Sequence, residues 1–139
     1  MAGIRYGLQI HKDAKSDIDL LLESDPSAAA QIVAFLQELS GDNYLLDALT
    51  IQEYDDNRIS VKKVEKLQRE RWNVWRLTLC DLHPPEDRLP YRILYAFDGR
   101  ARVYHVLAIR HRSIVYDDNT LDRACNACQR LGISPLPRG

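Results

Sequence analysis

YRILYAFDGRARVYHVLAIRHR, residues 91–112, decides the fold. Tyr91, Ile93, Tyr95 and Phe97 recur at every second position, which is the period of a half-buried strand. Asp98-Gly99-Arg100-Ala101 breaks the alternation with turn residues, and RVYHVLAIR (102–110) resumes it. Two strands with so short a link pair antiparallel. A third run, VWRLTLC (74–80), precedes them across DLHPPEDRLP, a proline-rich loop that no strand is expected to continue through. The three runs predict an antiparallel meander.

IRYGLQI (4–10) reads as a further strand, with Ile4, Tyr6, Leu8 and Ile10 on one face. Lys15 to Glu23 predicts a short helix with Ile18, Leu21 and Leu22 as its stripe. Ser24-Asp25-Pro26 is a helix-start signal, and Ala29, Ile32, Val33, Leu36 and Leu39 follow at helical spacing until Gly41. Residues 42–71 predict irregular structure with one small strand or helical turn. Leu121 to Leu131 predicts a closing helix before Gly132. The fold class is therefore α+β: an N-terminal strand and helical hairpin on one face of an antiparallel sheet, closed by a C-terminal helix.

At 139 residues the chain is expected to form a single domain over 1–139, with a core that needs no staples. No run approaches the length of a membrane span, and MAGIRYGLQIHKD lacks the apolar stretch of a secretory signal. Three cysteines, an odd number, argue for a reducing compartment and a cytoplasmic protein. The net charge of −1 hides a strong asymmetry. Residues 1–57 hold 3 Lys+Arg against 11 Asp+Glu, and residues 58–112 hold 13 against 6. Such a division suits either a phosphate-binding half or two halves that attract each other.

The strand faces sharpen the first reading. If Trp75, Leu77, Leu79, Tyr91, Ile93, Tyr95 and Phe97 face the core, Arg76 and Arg92 share the open face on neighbouring strands. Arg110 and Arg112 share a face of the last strand and can join them, while His111 points the other way. A bulge at the strand end would exchange those assignments. Guanidinium forks bind phosphate bidentately and stay charged at physiological pH, so such a face suits a phosphodiester.

The blocks VWRLTL, YRILYAFD and VLAIRHRSIVY, in that order behind a strand and helical hairpin, resemble the RelE/ParE superfamily of toxins from type II toxin–antitoxin modules. For its RelE-like members the resemblance implies metal-independent cleavage of mRNA in the ribosomal A site, with the 2′-hydroxyl attacking the adjacent phosphate. It implies no cofactor, a cognate antitoxin in a hetero-oligomer, and the ribosome and its mRNA as target. Carried over by position, Arg76, Arg92 and Arg110 match basic residues of three successive strands, and Tyr116 matches the closing tyrosine. The expected catalytic set is thus Arg76, Arg92, Arg110, His111 and Tyr116, with Lys62, Lys63, Lys66 and Arg112 as RNA contacts. Either Tyr116 or His111 is the proton acceptor, His111 having the better-matched unperturbed pKa; Tyr116 can instead stack on a base. Thr78 stands where some members carry a second lysine, and the near-neutral charge departs from a usually basic family.

Two alternatives stay within the fold: a ParE-like gyrase inhibitor and a non-catalytic binding protein. A third is chemically distinct. Cys80-x2-His83 and Cys125-x2-Cys128 have zinc-like pair spacings. Cys80, however, ends a strand, His83 sits in the proline loop, and the CNAC pair lies on a helix where small residues pack, so no metal is expected. His11 and His105 read as structural.

Overall fold

The computed structural model describes residues 5–81, 88–133 and 135–136. The elements run β1 (Gly7–Ile10), α1 (Lys12–Ser24), α2 (Pro26–Ser40), α3 (Asn43–Ala48), β2 (Ile59–Lys63), α4 (Glu65–Arg69), β3 (Val74–Cys80), β4 (Arg88–Asp98), β5 (Val103–His111) and α5 (Asp118–Arg130). They build an α+β fold around a five-stranded sheet of order β1-β5-β4-β3-β2. β2 through β5 are antiparallel as the meander predicts, whereas β1 joins β5 parallel, so the sheet is mixed.

Local chemistry sets the helix starts. The His11 imidazole accepts the Asp13 N–H at 3.2 Å, which begins α1 at Lys12 rather than at the expected Lys15. Asp25 accepts the Ala28 N–H at 3.2 Å and Pro26 opens α2, as the sequence signal predicts. Asp42 accepts the Leu45 N–H at 3.0 Å and starts α3. The stretch 42–71 is more ordered than expected: it holds α3, the edge strand β2 and α4.

The sheet separates two cores. On one side α1, α2 and α3 pack Ile18, Ile32, Phe35, Leu36 and Leu46 onto Trp75, Leu77, Ile93, Tyr95 and Tyr104. On the other, α4 and α5 pack Leu67, Leu121, Ala124 and Cys128 onto Val74, Leu94, Ala96 and Leu107. The hairpin lies on one face as expected, while the closing helix α5 lies on the other, so the helices do not all share one face. The small faces of β3 and β4 accept a second layer because Val74, Leu94 and Ala96 are as apolar as the bulky faces opposite.

Two irregularities shape the sheet. The β3–β4 register shifts between Thr78 and Cys80, which lets β4 begin at Arg88 and pass through Pro90 despite its missing N–H. The Pro90 carbonyl accepts the Arg112 N–H at 2.7 Å. The β4–β5 register shifts between Leu94 and Tyr95: Leu94 pairs Ala108 while Tyr95 pairs Val106, so Leu107 is an extra residue. Leu107 and Ala108 both enter the α5-side core, and Ile109 returns to the α1 side.

Asp17 ties the layers together beyond the end of β1. Its buried carboxylate accepts the Ile109 N–H at 2.9 Å and receives Arg123 of α5 at 2.6 and 3.2 Å. Removing it leaves a strand amide and a largely buried guanidinium without their acceptor. Asp17→Ala is expected to cost about 3–5 kcal/mol in urea unfolding, the range for breaking a buried pair from one side. Asp17→Asn, which keeps an acceptor for Ile109, costs less, and exposed Asp19→Ala stays within about 0.5 kcal/mol of wild type.

Candidate functional site

Among the described residues, the α5-side face of the sheet is covered at only one end. Cross-strand register places two rows there: Lys62–Arg76–Leu94–Ala108, half roofed by α5, and Ser60–Thr78–Arg92–Arg110, outside the α5-side core. The floor beyond α5 is therefore polar and basic.

Arg76 lies at its centre. Nη1 donates to the buried Thr78 hydroxyl at 3.3 Å, and its guanidinium carbon sits 5.9 Å from the Tyr116 ring centroid. Its Nε is buried and has no hydrogen-bond partner among the described residues. Thr78 thus orients an arginine in this chain.

Arg92 is the second member. Nη1 donates to the Leu89 and Tyr91 carbonyls at 2.9 and 3.3 Å, fixing the fork against the β4 irregularity. Burial, and after it the like charges of Arg76 and Arg112, lower its pKa from the ordinary arginine value; Tyr116 opposes and Arg88 adds to the lowering. These four side chains are its electrostatic neighbours. The cluster holds several positive charges close together, an arrangement that an anion relieves.

Tyr116 is 49% exposed and projects from the turn between β5 and α5. Buried Val115 before it, and the Asp117 N–H donating to the Ile114 carbonyl at 3.1 Å, hold that turn over the floor. Arg112 is exposed and reaches the cluster from the same turn.

Other expected residues lie elsewhere. His111 is on the α1 side, edge-on to Tyr91 at 5.6 Å, with Nδ1 2.8 Å from the Ser113 hydroxyl. The Leu107 bulge turns it away from the arginines. Arg110 is paired with Arg92 through the backbone, but its Nε donates to the buried Thr120 hydroxyl at 3.1 Å, so it braces α5 at the margin of the floor. Lys62 is exposed beside Arg76. Lys63 alternates to the opposite face, 5.8 Å from the Trp75 ring centroid, and Lys66 pairs with Asp118 at the start of α5 at 3.6 Å.

Arg88 is the neighbour the sequence reading missed. It pairs with Asp55 at 3.5 Å and registers against Cys80. Alternation through RLPYRIL puts Arg88, Pro90 and Arg92 on one parity and Leu89, Tyr91 and Ile93 on the other. The proline masked that signal.

The zinc arrangement does not assemble from the cysteine pairs. Cys80 lines a groove beneath α2, while Cys128 is buried under α5 across the sheet, where burial pushes its thiol pKa up to about 12. His83 lies outside the described residues. Among the described residues no group of three or more His, Cys, Asp and Glu side chains is placed to hold a metal, and no helix is long and apolar enough to cross a membrane.

No family model matches the sequence, and no curated protein does. Two solved structures are similar in shape. A mutant of the Escherichia coli toxin RelE in the free state is 14% identical with a TM-score of 0.50, covering 89% of this chain and 98% of that one. A chain of the RelBE2 toxin–antitoxin complex from Mycobacterium tuberculosis is 20% identical with a TM-score of 0.46, covering 78% of this chain and all of that one. Mixed sheet, helical hairpin and closing helix together give this chain the RelE fold.

Proposed function

We propose that the protein is a RelE-like toxin of a type II toxin–antitoxin system, an endoribonuclease that cleaves mRNA on the ribosome by the metal-independent route. The observation that carries this reading is a floor, uncovered among the described residues, on which Arg76, Arg112 and Tyr116 are electrostatic neighbours of Arg92 and Arg76 lies 5.9 Å from the Tyr116 ring centroid. Three guanidinium groups suit a phosphodiester in the ground state and the extra charge that develops as it reacts. The 2′-hydroxyl attacks the adjacent phosphorus, the bond to the 5′-oxygen breaks, and the products are a 2′,3′-cyclic phosphate and a free 5′-hydroxyl. Arg76 and Arg92 hold the non-bridging oxygens in this account. The position of Tyr116 over Arg76 supports proton exchange with the sugar hydroxyls or stacking on the flanking base. A cognate antitoxin, in a hetero-oligomer in the cytoplasm, is the matching regulatory partner.

A second reading, RNA binding without cleavage, is favoured by one observation: His111, the better-matched base, is on the other side of the sheet. Induced expression with mapping of mRNA 5′ ends separates the readings. New cuts inside translated frames support the nuclease. Arrest without cuts but with DNA damage signalling points to gyrase instead, and no arrest leaves the binding protein.

The nuclease reading sets the expected effect of each variant. Arg92→Ala lowers cutting by about 10²–10³-fold, the scale of losing one transition-state donor, and Tyr116→Phe also lowers it. His111→Ala leaves cutting unchanged. In a titration of short single-stranded RNA against salt, three arginine–phosphate contacts give a slope near −2, and Arg112→Ala reduces it by about 0.7.

A further inference from the structure

The two edges of the sheet are treated differently. β2 is shielded: the Glu53 N–H donates to the Val61 carbonyl at 3.0 Å, the Val61 N–H to the Tyr54 carbonyl at 2.8 Å, and Asp55 bridges to Ser60. Beside β1 only the amide just before the strand is covered among the described residues, the Tyr6 N–H donating to the Asn43 side chain at 2.9 Å. The Gly7 and His11 amides donate inward to the Arg102 and Val106 carbonyls at 2.9 Å each, so the Leu8 and Ile10 backbones face outward. Proteins ordinarily blunt an open edge with lysine, proline or a bulge. Gly7-Leu8-Gln9-Ile10 has none of these.

A groove of about 220 Å³ runs along that edge, lined by Leu8, Ile10, Val33, Leu36, Gln37 and Ser40 among others. Every residue lining it is uncharged, in a chain with 28% charged residues. α2 carries one charge, Glu38, and that is turned to Arg58 at 2.7 Å on the other side of the helix. A strongly charged partner finds no complement here.

We propose that the β1 edge is the interface with a second copy of this chain. A two-fold axis perpendicular to the sheet at Gln9 makes the two β1 strands antiparallel. Leu8 of one copy then exchanges both backbone hydrogen bonds with Ile10 of the other, and the reciprocal pair forms by symmetry. The same axis keeps both helical layers on one side, so the two neutral grooves face each other and the α2 helices close over the seam. The sheet becomes continuous through both copies. The arginine floors stay open on the opposite face, with the two β4 strands five strand spacings apart, about 24 Å.

The test is sedimentation equilibrium of the full chain over a concentration series, with circular dichroism to verify folding. Wild type is expected to rise from the 16.0 kDa monomer to twice that mass. Gln9 is exposed and lies on the axis, so Gln9→Lys sets two ammonium groups opposite each other and is expected to hold the chain at monomer mass with an unchanged spectrum. Leu8→Pro removes the outward N–H together with part of a side chain that lines the groove, and is expected to give monomer mass as well. A wild type that stays monomeric throughout, or a dimer that survives Gln9→Lys, overturns the proposal. It does so whatever the protein does to RNA, since neither variant touches the floor.

Discussion

One extra residue in β5 decides what the sheet presents to solvent. Continued alternation from Tyr104 and Val106 would send residues 108, 110 and 112 toward α1 and α2, which would bury guanidinium groups in an apolar layer. Leu107 prevents this by entering the α5-side core together with Ala108. Arg110 and Arg112 then emerge on the side of Arg76 and Arg92, and His111 emerges on the other. The bulge is held by its own packing, Leu107 being fully buried, and by Asp17, whose carboxylate takes the Ile109 amide just past it. The same carboxylate binds Arg123 and so fixes α5, the helix that leaves half of the floor bare.

The sequence asymmetry becomes a spatial one. The acidic segment builds the helical layer of α1–α3, and the basic segment builds the sheet whose other face carries the arginines. A net charge of −1 therefore describes neither surface. Attraction between the halves accounts for only part of the charge: Arg58 meets Glu38 and Arg88 meets Asp55 at the rim, each pair well exposed and weak. No acidic side chain is among the electrostatic neighbours of Arg92, whose pKa is lowered first by burial and then by the like charges of Arg76 and Arg112. A group of like charges kept together by surrounding packing is what an anionic ligand is suited to neutralise.

Much of the fold was legible because it rests on short periods. Alternation in 91–97 and 74–80, and the Asp25-Pro26 start of α2, gave the strands, the meander and the hairpin. What was hidden depends on partners distant in sequence. β2 is polar on its outer face and becomes a strand through Leu77 and Leu79, and the parallel placement of β1 is decided by β5 nearly 100 residues later. At the site, Arg76, Arg92, Arg112 and Tyr116 were legible as types and come together. The roles of Arg110 and His111 were not, because a one-residue bulge leaves no mark in the alternation of VYHVLAIR. Arg88 was hidden by Pro90, which reads as a strand breaker and is accommodated here at a register shift.

The central claim is that Arg76, Arg92 and Arg112 together take one RNA phosphate. Arginine side-chain Nε–Hε resonances report this directly during titration with a short single-stranded RNA whose 2′-hydroxyls are methylated, which cannot be cut by attack of the 2′-oxygen. The account predicts the largest shifts at Arg92 and at Arg76, whose buried Nε has no partner among the described residues, with Arg112 following and Arg123 unmoved in its clamp on Asp17. Shifts confined to Arg100, Arg102 and other arginines outside the floor would contradict it.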